Sequence, residues 1–272
     1  MNTTGARWQH GKPGIRLRMK TTMWTAITRE VSPALAECEL SFVAREPIDI
    51  ARAGAQHRDY RRALEVLGCR VLTLPAEPDL PDSVFVEDVA IVLDELAVMT
   101  RPGALSRRSE VASVAEALKA HRPLAFIEAP GTIDGGDALR LGHALYVGES
   151  ERSNPAGIVQ LRELLAPHGY TVQGVTTRGC LHLKSAVTQL ADDALLLQPE
   201  WVDREPFAGY RIIEVDPAEP HAANVVRVDD GLLMPANFPR TRDRLLAAGF
   251  KLVTVDVSEL QKAEGAVTCC SL

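Results

Sequence analysis

The sequence predicts a five-bladed, pseudo-symmetric α/β-propeller, and three observations carry that prediction: a recurring helix-to-strand phrase, a recurring hairpin phrase, and regular spacing between the copies. In the first phrase a helix-like run ends and a short apolar strand begins, at Gly68-Cys69-Arg70-Val71-Leu72, Gly169-Tyr170-Thr171-Val172, Gly209-Tyr210-Arg211-Ile212-Ile213 and Gly249-Phe250-Lys251-Leu252-Val253. His121-Arg122-Pro123-Leu124-Ala125 fills the missing slot, so the starts at 68, 121, 169, 209 and 249 lie 53, 48, 40 and 40 residues apart, the range of a repeated supersecondary unit. In the second phrase two apolar runs flank a polar turn, at 89–93 with 96–100, 138–141 with 144–147, 186–190 with 194–197, and 225–228 with 232–234. Each unit reads as hairpin, helix, strand. Units that cannot bury their faces alone stack or close into a ring; a doubly wound open sheet is the alternative.

Taken in chain order, residues 1–22 are expected to be a flexible tail ahead of a single catalytic domain over 23–272. Arg7, Lys12, Arg16, Arg18 and Lys20 have no apolar stretch behind them, so neither a secretory signal nor a membrane helix is expected. Periodic apolar positions predict helices over 48–67, 108–120, 155–165 and 240–248, with Gly68, Gly169 and Gly249 as C-terminal caps. The helix expected before Gly209 looks eroded. The hairpin turns Asp94-Glu95, Gly142-His143, Asp192-Asp193 and Asp229-Asp230-Gly231 have the polar, glycine-bearing chemistry of tight connections.

Composition narrows the function. With 46% hydrophobic and 24% charged residues the chain is a globular protein, not a disordered one. A net charge of -6 argues against a nucleic-acid surface, which needs a cationic excess; a small cation is the better electrostatic partner. The five cysteines, at 38, 69, 180, 269 and 270, lack the spacing of a disulfide framework and read as reduced thiols in a cytoplasm. Neighbours in sequence, Cys269 and Cys270 are poorly placed to bridge each other.

The chemically unusual residues share one place in the repeat. Glu87-Asp88, Asp134, His182 and Cys269 each stand just before, or at the start of, a unit's first hairpin strand, and a ring brings equivalent positions to one end of its axis. Each residue also has an ordinary explanation. Glu87 and Asp88 interrupt a buried-looking run at 84–93, so they must meet something cationic, either a neighbouring arginine or a ligand. Asp134-Gly135-Gly136-Asp137 reads as a turn whose glycines allow backbone conformations closed to other residues, or as part of a site. A lone His182 in an apolar stretch is a hydrogen-bonded core residue or an acid/base. A terminal thiol favours the second, since a nucleophilic cysteine needs a histidine and that histidine needs an acid to orient it. Arg101, Arg107, Arg108 and Arg152 are solvated surface residues or clamps for a carboxylate. Acids on one wall and arginines on another would suit a zwitterion carrying an additional positive group.

Phe85-Val86-Glu87-Asp88, Thr100-Arg101-Pro102-Gly103-Ala104, Ser106-Arg107-Arg108, Asp134-Gly135-Gly136-Asp137, Leu181-His182-Leu183-Lys184 and Thr268-Cys269-Cys270-Ser271 occur in an order that resembles the dimethylarginine dimethylaminohydrolases, guanidino-modifying enzymes of the pentein fold. The likeness runs from about Met23 to the end of the chain. It implies that Cys269 is the nucleophile, His182 the general acid and base, and Asp134 the carboxylate that orients it, with Cys270 a bystander. It further implies that Glu87 and Asp88 hold the guanidinium, Asp82 the α-ammonium, and Arg107 and Arg152 the α-carboxylate, while Leu40 and Ala263 contribute main-chain carbonyls. The implied reaction converts Nω-methylated arginines to citrulline and a methylamine and needs neither metal nor organic cofactor. The expected partner is a small-molecule substrate, with no nucleic acid and no membrane, acting on a monomer or a homodimer. Three other readings stand beside it: an arginine deiminase of the same fold, a zinc protein using Cys180, His182, Cys269 and Cys270, and a non-catalytic arginine-binding module.

Overall fold

The computed structural model describes residues 7–9 and 24–272, and its strands fall into five separate small sheets. In chain order the elements are β1 (Arg7–Gln9), β2 (Thr25–Arg29), α1 (Ile50–Val66), β3 (Arg70–Leu74), β4 (Ala90–Val92), β5 (Ala97–Met99), α2 (Val111–Leu118) and β6 (Leu124–Phe126). They continue with β7 (Ala138–Leu141), β8 (Ala144–Glu149), α3 (Pro155–Leu165), β9 (Thr171–Thr176), α4 (Leu183–Ala186), β10 (Val187–Ala191), β11 (Ala194–Leu197) and β12 (Arg211–Glu214). The last are β13 (Val226–Val228), β14 (Gly231–Pro235), α5 (Pro239–Ala247), β15 (Lys251–Val255) and α6 (Ser258–Gln261).

Four blades repeat one plan, an antiparallel hairpin whose second strand pairs in parallel with a third: β4-β5-β6, β7-β8-β9, β10-β11-β12 and β13-β14-β15. The fifth blade is shared between the two ends of the described fold. Strands β2 and β3 pair in parallel, and Leu272 exchanges both backbone hydrogen bonds with Ile27 at 2.9 Å, so the carboxyl terminus supplies the missing hairpin partner and closes the ring. This is a five-bladed α/β-propeller, not the doubly wound sheet, which would require one continuous sheet.

The helix boundaries follow ordinary capping. Asp49 caps α1 by accepting Arg52 N–H at 3.0 Å, Asn154 caps α3 by accepting Gly157 N–H at 2.8 Å, and Gly68, Gly169 and Gly249 take the left-handed conformation at φ 99°, 77° and 93°. Helix α1 buries Ala53, Gln56, His57, Tyr60, Ala63 and Leu64, a three-to-four spacing that lays one face on the core.

Three differences from expectation have physical causes. The segment 108–120 begins as a 3-10 turn, Leu105–Glu110, before α2; residues three apart eclipse in such a turn, which sets buried Arg107 and Glu110 side by side. Before Gly209 only the 3-10 turn Glu205–Phe207 remains, anchored by buried Phe207. Within the expected tail, Arg7–Gln9 adds to the open edge of β15 in antiparallel register, where unpaired backbone groups favour a further strand. The rest of that expectation lies outside the described residues. Among them, no helix is long and apolar enough to cross a membrane.

Candidate active site

The short turns that open the blades meet at one end of the ring: Val86–Val89 before β4, Gly135–Asp137 before β7, α4 before β10 and Pro220–Ala223 before β13, with the terminal segment beside them. Between them lies a cavity of about 20 Å³, room for a water but not for an amino acid. Asp82, Asp88, Arg107, Asp134, Arg152, His182, Ala263 and Cys269 all line it. Leu40 and Glu87 do not. Leu40 packs against the core formed by α1 and the last blade, and Glu87 turns to Lys184 Nζ at 2.5 Å and Thr268 Oγ1 at 2.9 Å.

His182 is the N-cap of α4, with extended backbone, and is 4% exposed. Its Nε2 meets Asp134 Oδ2 at 3.1 Å, and its Nδ1 lies 3.7 Å from Asp88 Oδ1. Burial alone would lower its pKa, but the Asp88 charge, the Asp134 hydrogen bond and the Asp137 charge raise it to about 9, so the ring is an imidazolium at neutral pH. Asp134 is itself fixed by Gly103 N–H at 2.9 Å. Asp137 accepts from Ser150, Ser153 and the Leu183 N–H at 2.6, 2.6 and 2.9 Å, thereby tying down the first turn of α4. Gly135 and Gly136 serve close approach, not a left-handed backbone as the sequence suggests. A Cβ on Gly135 would lie 2.0 Å from the Glu87 carbonyl oxygen, and one on Gly136 2.6 Å from His182 Nδ1.

Cys269 is partly exposed and contributes to the cavity wall, whereas Cys270 is buried with its thiol on the Ala266 carbonyl at 3.4 Å. Burial, followed by the Glu87 and Asp88 charges, pushes the Cys269 thiol up to about 12, which keeps it protonated at neutral pH. Asn224 holds the preceding residue from both sides, donating to Thr268 Oγ1 at 2.8 Å and accepting Thr268 N–H at 3.0 Å; it also donates to the Lys184 carbonyl at 3.1 Å. Sequence reasoning missed Asn224. It stands at the same place in the fourth unit as Asp88 does in the first, so repeat position alone could have flagged it.

The acids that were expected to need a cation have internal ones. Arg107 Nη1 meets Asp88 Oδ2 at 2.5 Å. Burial would raise the Asp88 carboxyl, but His182, Arg107 and the Gly136 N–H hold it below the usual carboxylate range. Asp82 accepts Glu39 N–H at 3.1 Å. Arg152 reaches Ser41 Oγ at 3.1 Å, while Arg101 and Arg108 donate to the carbonyls of Gly131 and Pro102. Glu39 and Glu264 line the cavity, and Glu264, at φ 57°, tethers the segment that follows Glu39 by accepting the N–H groups of Ser41, Phe42 and Val43, while Ser106 donates to Glu39 at 2.6 Å.

Asp88, Asp134 and His182 bring one ligand atom each within 4.8 Å of one another, the group among the described residues that could hold a metal. Each is already engaged, Asp88 by Arg107 and Gly136, Asp134 and His182 by one another. The thiols of the zinc reading do not join them; Cys180 donates to the His182 carbonyl at 3.4 Å.

A family model described as N,N dimethylarginine dimethylhydrolase, eukaryotic, matches residues 37–272. The chain belongs to the dimethylarginine dimethylaminohydrolase family. It is 41% identical over 248 residues to the Streptomyces coelicolor N(G),N(G)-dimethylarginine dimethylaminohydrolase, covering 91% of this chain and 95% of that one. To the Pseudomonas aeruginosa protein of the same name it is 39% identical over 226 residues, covering 82% and 89%. A solved structure of the Pseudomonas aeruginosa family member, a cysteine-to-serine variant complexed with citrulline, superposes with a TM-score of 0.88 at 36% identity over 92% of this chain and 99% of that chain.

Proposed function

We propose that this chain hydrolyses Nω-methylated arginines to citrulline and dimethylamine or methylamine through a covalent intermediate on Cys269. The observation that carries this reading is the single cavity that Cys269 shares with a charged, carboxylate-bound His182, acids and two arginines. Asp88 holds the substrate's guanidinium, Asp82 its α-ammonium, and Arg107 and Arg152 its α-carboxylate, with the Ala263 main chain at the wall. Glu87 acts at one remove, steadying Thr268 and Lys184 around the nucleophile.

A guanidinium resists attack by water because its charge is delocalised, so hydrolysis needs a stronger nucleophile and a proton for the departing amine. Burial and the neighbouring acids favour the protonated thiol. A cation brought beside the sulfur opposes the effect of Glu87 and Asp88, and the thiol ionises when substrate arrives. Thiolate attack on the guanidinium carbon forms the S–C bond of a tetrahedral adduct, and the His182 imidazolium gives its proton to the methylated nitrogen as the C–N bond breaks. The amine leaves an S-alkylthiouronium. Neutral His182 then takes a proton from water, the resulting hydroxide adds to the same carbon, and as the C–S bond breaks the adduct's hydroxyl proton passes to the departing sulfur, releasing citrulline and restoring the thiol. Asp134 keeps the ring oriented through both transfers.

Five unbonded cysteines fit a reducing cytoplasm. The test is a substrate panel. Asymmetric dimethylarginine and monomethylarginine should give citrulline with one equivalent of dimethylamine or methylamine, at higher kcat/KM than arginine gives citrulline and ammonia. Replacing Cys269→Ser should lower kcat by at least about a thousandfold. Preference for arginine would favour the deiminase reading instead, and near-normal turnover by the serine variant would remove Cys269 from the mechanism.

A further inference from the structure

Behind the cavity wall the buried charges alternate in sign. Asp134 pairs with His182, His182 faces Asp88, and Asp88 meets Arg107 Nη1. Arg107 in turn forks onto Glu110, with Nε on Oε1 at 3.1 Å and Nη2 on Oε2 at 2.7 Å. Further in, Arg29 donates to Ser113 Oγ at 2.6 Å and pairs with Glu77 at 2.9 Å, while Ser113 donates to the Glu110 carbonyl at 3.2 Å. Glu110 is 2% exposed and has no contact with the cavity, so no direct role in binding is open to it.

The Arg107 hydrogens show what Glu110 does. Its Nε–H and one Nη2–H go to Glu110, and Nη2 also reaches the carbonyls of Asp82 and Phe85 at 3.2 and 3.1 Å. Nη1 gives one hydrogen to Asp88, and its second has no acceptor among the described residues, on a side chain that lines the cavity. A guanidinium prefers to grip a carboxylate with two nitrogens. Glu110 occupies the Nε/Nη2 edge, and the carbonyls of Asp82 and Phe85 take the Nη2 side of the Nη1/Nη2 edge.

We propose that Glu110 is a positioning residue for this site: by holding the Nε/Nη2 edge of Arg107 it restricts that side chain to a one-nitrogen contact with Asp88, leaving Asp88 able to take the substrate's guanidinium and Arg107 able to take its α-carboxylate. Without the Glu110 charge, a buried Arg107 must seek its counter-charge elsewhere, and Asp88 is the nearest carboxylate it already touches. A two-point Arg107–Asp88 pair would then compete with the substrate for both groups. This inference rests on the assignment of Asp88 and Arg107 above.

The test is Glu110→Gln, which keeps the shape and removes the charge. KM for asymmetric dimethylarginine should rise at least tenfold with kcat within threefold. Methylguanidine, which has no carboxylate, should lose at least tenfold in affinity by NMR titration, since Asp88 is the group withdrawn. Unchanged KM, a fall confined to kcat, or retained methylguanidine affinity would overturn the proposal. Glu110→Asp keeps the charge but reaches Arg107 less well, and should raise KM threefold to tenfold; if the glutamine variant does not fold, an unchanged KM in the aspartate variant overturns the proposal by itself. Should the parent protein not turn over methylarginines, the reading of the reaction fails, while methylguanidine binding to the parent and variant still decides the role of Glu110.

Discussion

At His182 a single side chain carries both the electrostatics and the geometry of the site. Three aspartates around one imidazole outweigh the cost of burying its charge, which is why its pKa rises to about 9 from the ordinary 6.5. Because the folded-state value lies above the unfolded one, the stabilisation it brings is complete below pH 6.5 and is lost as pH rises through about 9. Accordingly, one histidine resonance of the ligand-free protein should titrate near pH 9 by NMR and vanish in His182→Gln; a midpoint near 6.5 would mean that Asp88 and Asp134 do not hold the ring as described. Such residues are legible in sequence when their chemistry is odd for their surroundings, as with a thiol near the terminus or an imidazole in an apolar run. Glu110 and Asn224 lack that oddness. Glu110 reads as one more polar residue on a surface helix until the 3-10 geometry turns it inward beside Arg107, and an asparagine at a blade entrance carries no charge to draw the eye. The partners of Glu87 and Asp88 were illegible for a related reason: burial demands a cation, but sequence does not say whether it comes from the fold or from a ligand.

The elements were easier to read, because hairpin turns and left-handed glycines are local. Gly68, Gly169 and Gly249 announce helix ends wherever a helix precedes them, and Gly209, lacking one, has no left-handed backbone. The tether beside the cavity was hidden, since 39–43 has no regular structure and is held by Glu264, more than two hundred residues away. One carboxylate accepting three successive N–H groups is a strong tether for so short a segment. Replacing Glu264→Ala should therefore speed hydrogen exchange at Ser41–Val43 at least tenfold while leaving exchange in β14 and β15 unchanged. Equal exchange in parent and variant would show that the segment is held by its other contacts, Glu39 with Ser106 and Ser41 with Arg152.

On the scale of the whole molecule, ring closure and the proposed reaction use the same short segment of chain. Leu272 pairs with Ile27 and finishes the fifth blade, and this anchors the segment in which Cys269 stands, bringing it back to acids and an imidazole from the first three blades. Repetition made that convergence readable, since five units of like order can close only by joining their ends. The most direct test is to quench turnover of asymmetric dimethylarginine in acid and weigh the peptide that contains Cys269. The expected result is a substrate-derived amidino adduct on that peptide, absent from Cys269→Ser. Steady citrulline production with no adduct, and with the serine variant still active, would contradict a covalent reaction at this thiol.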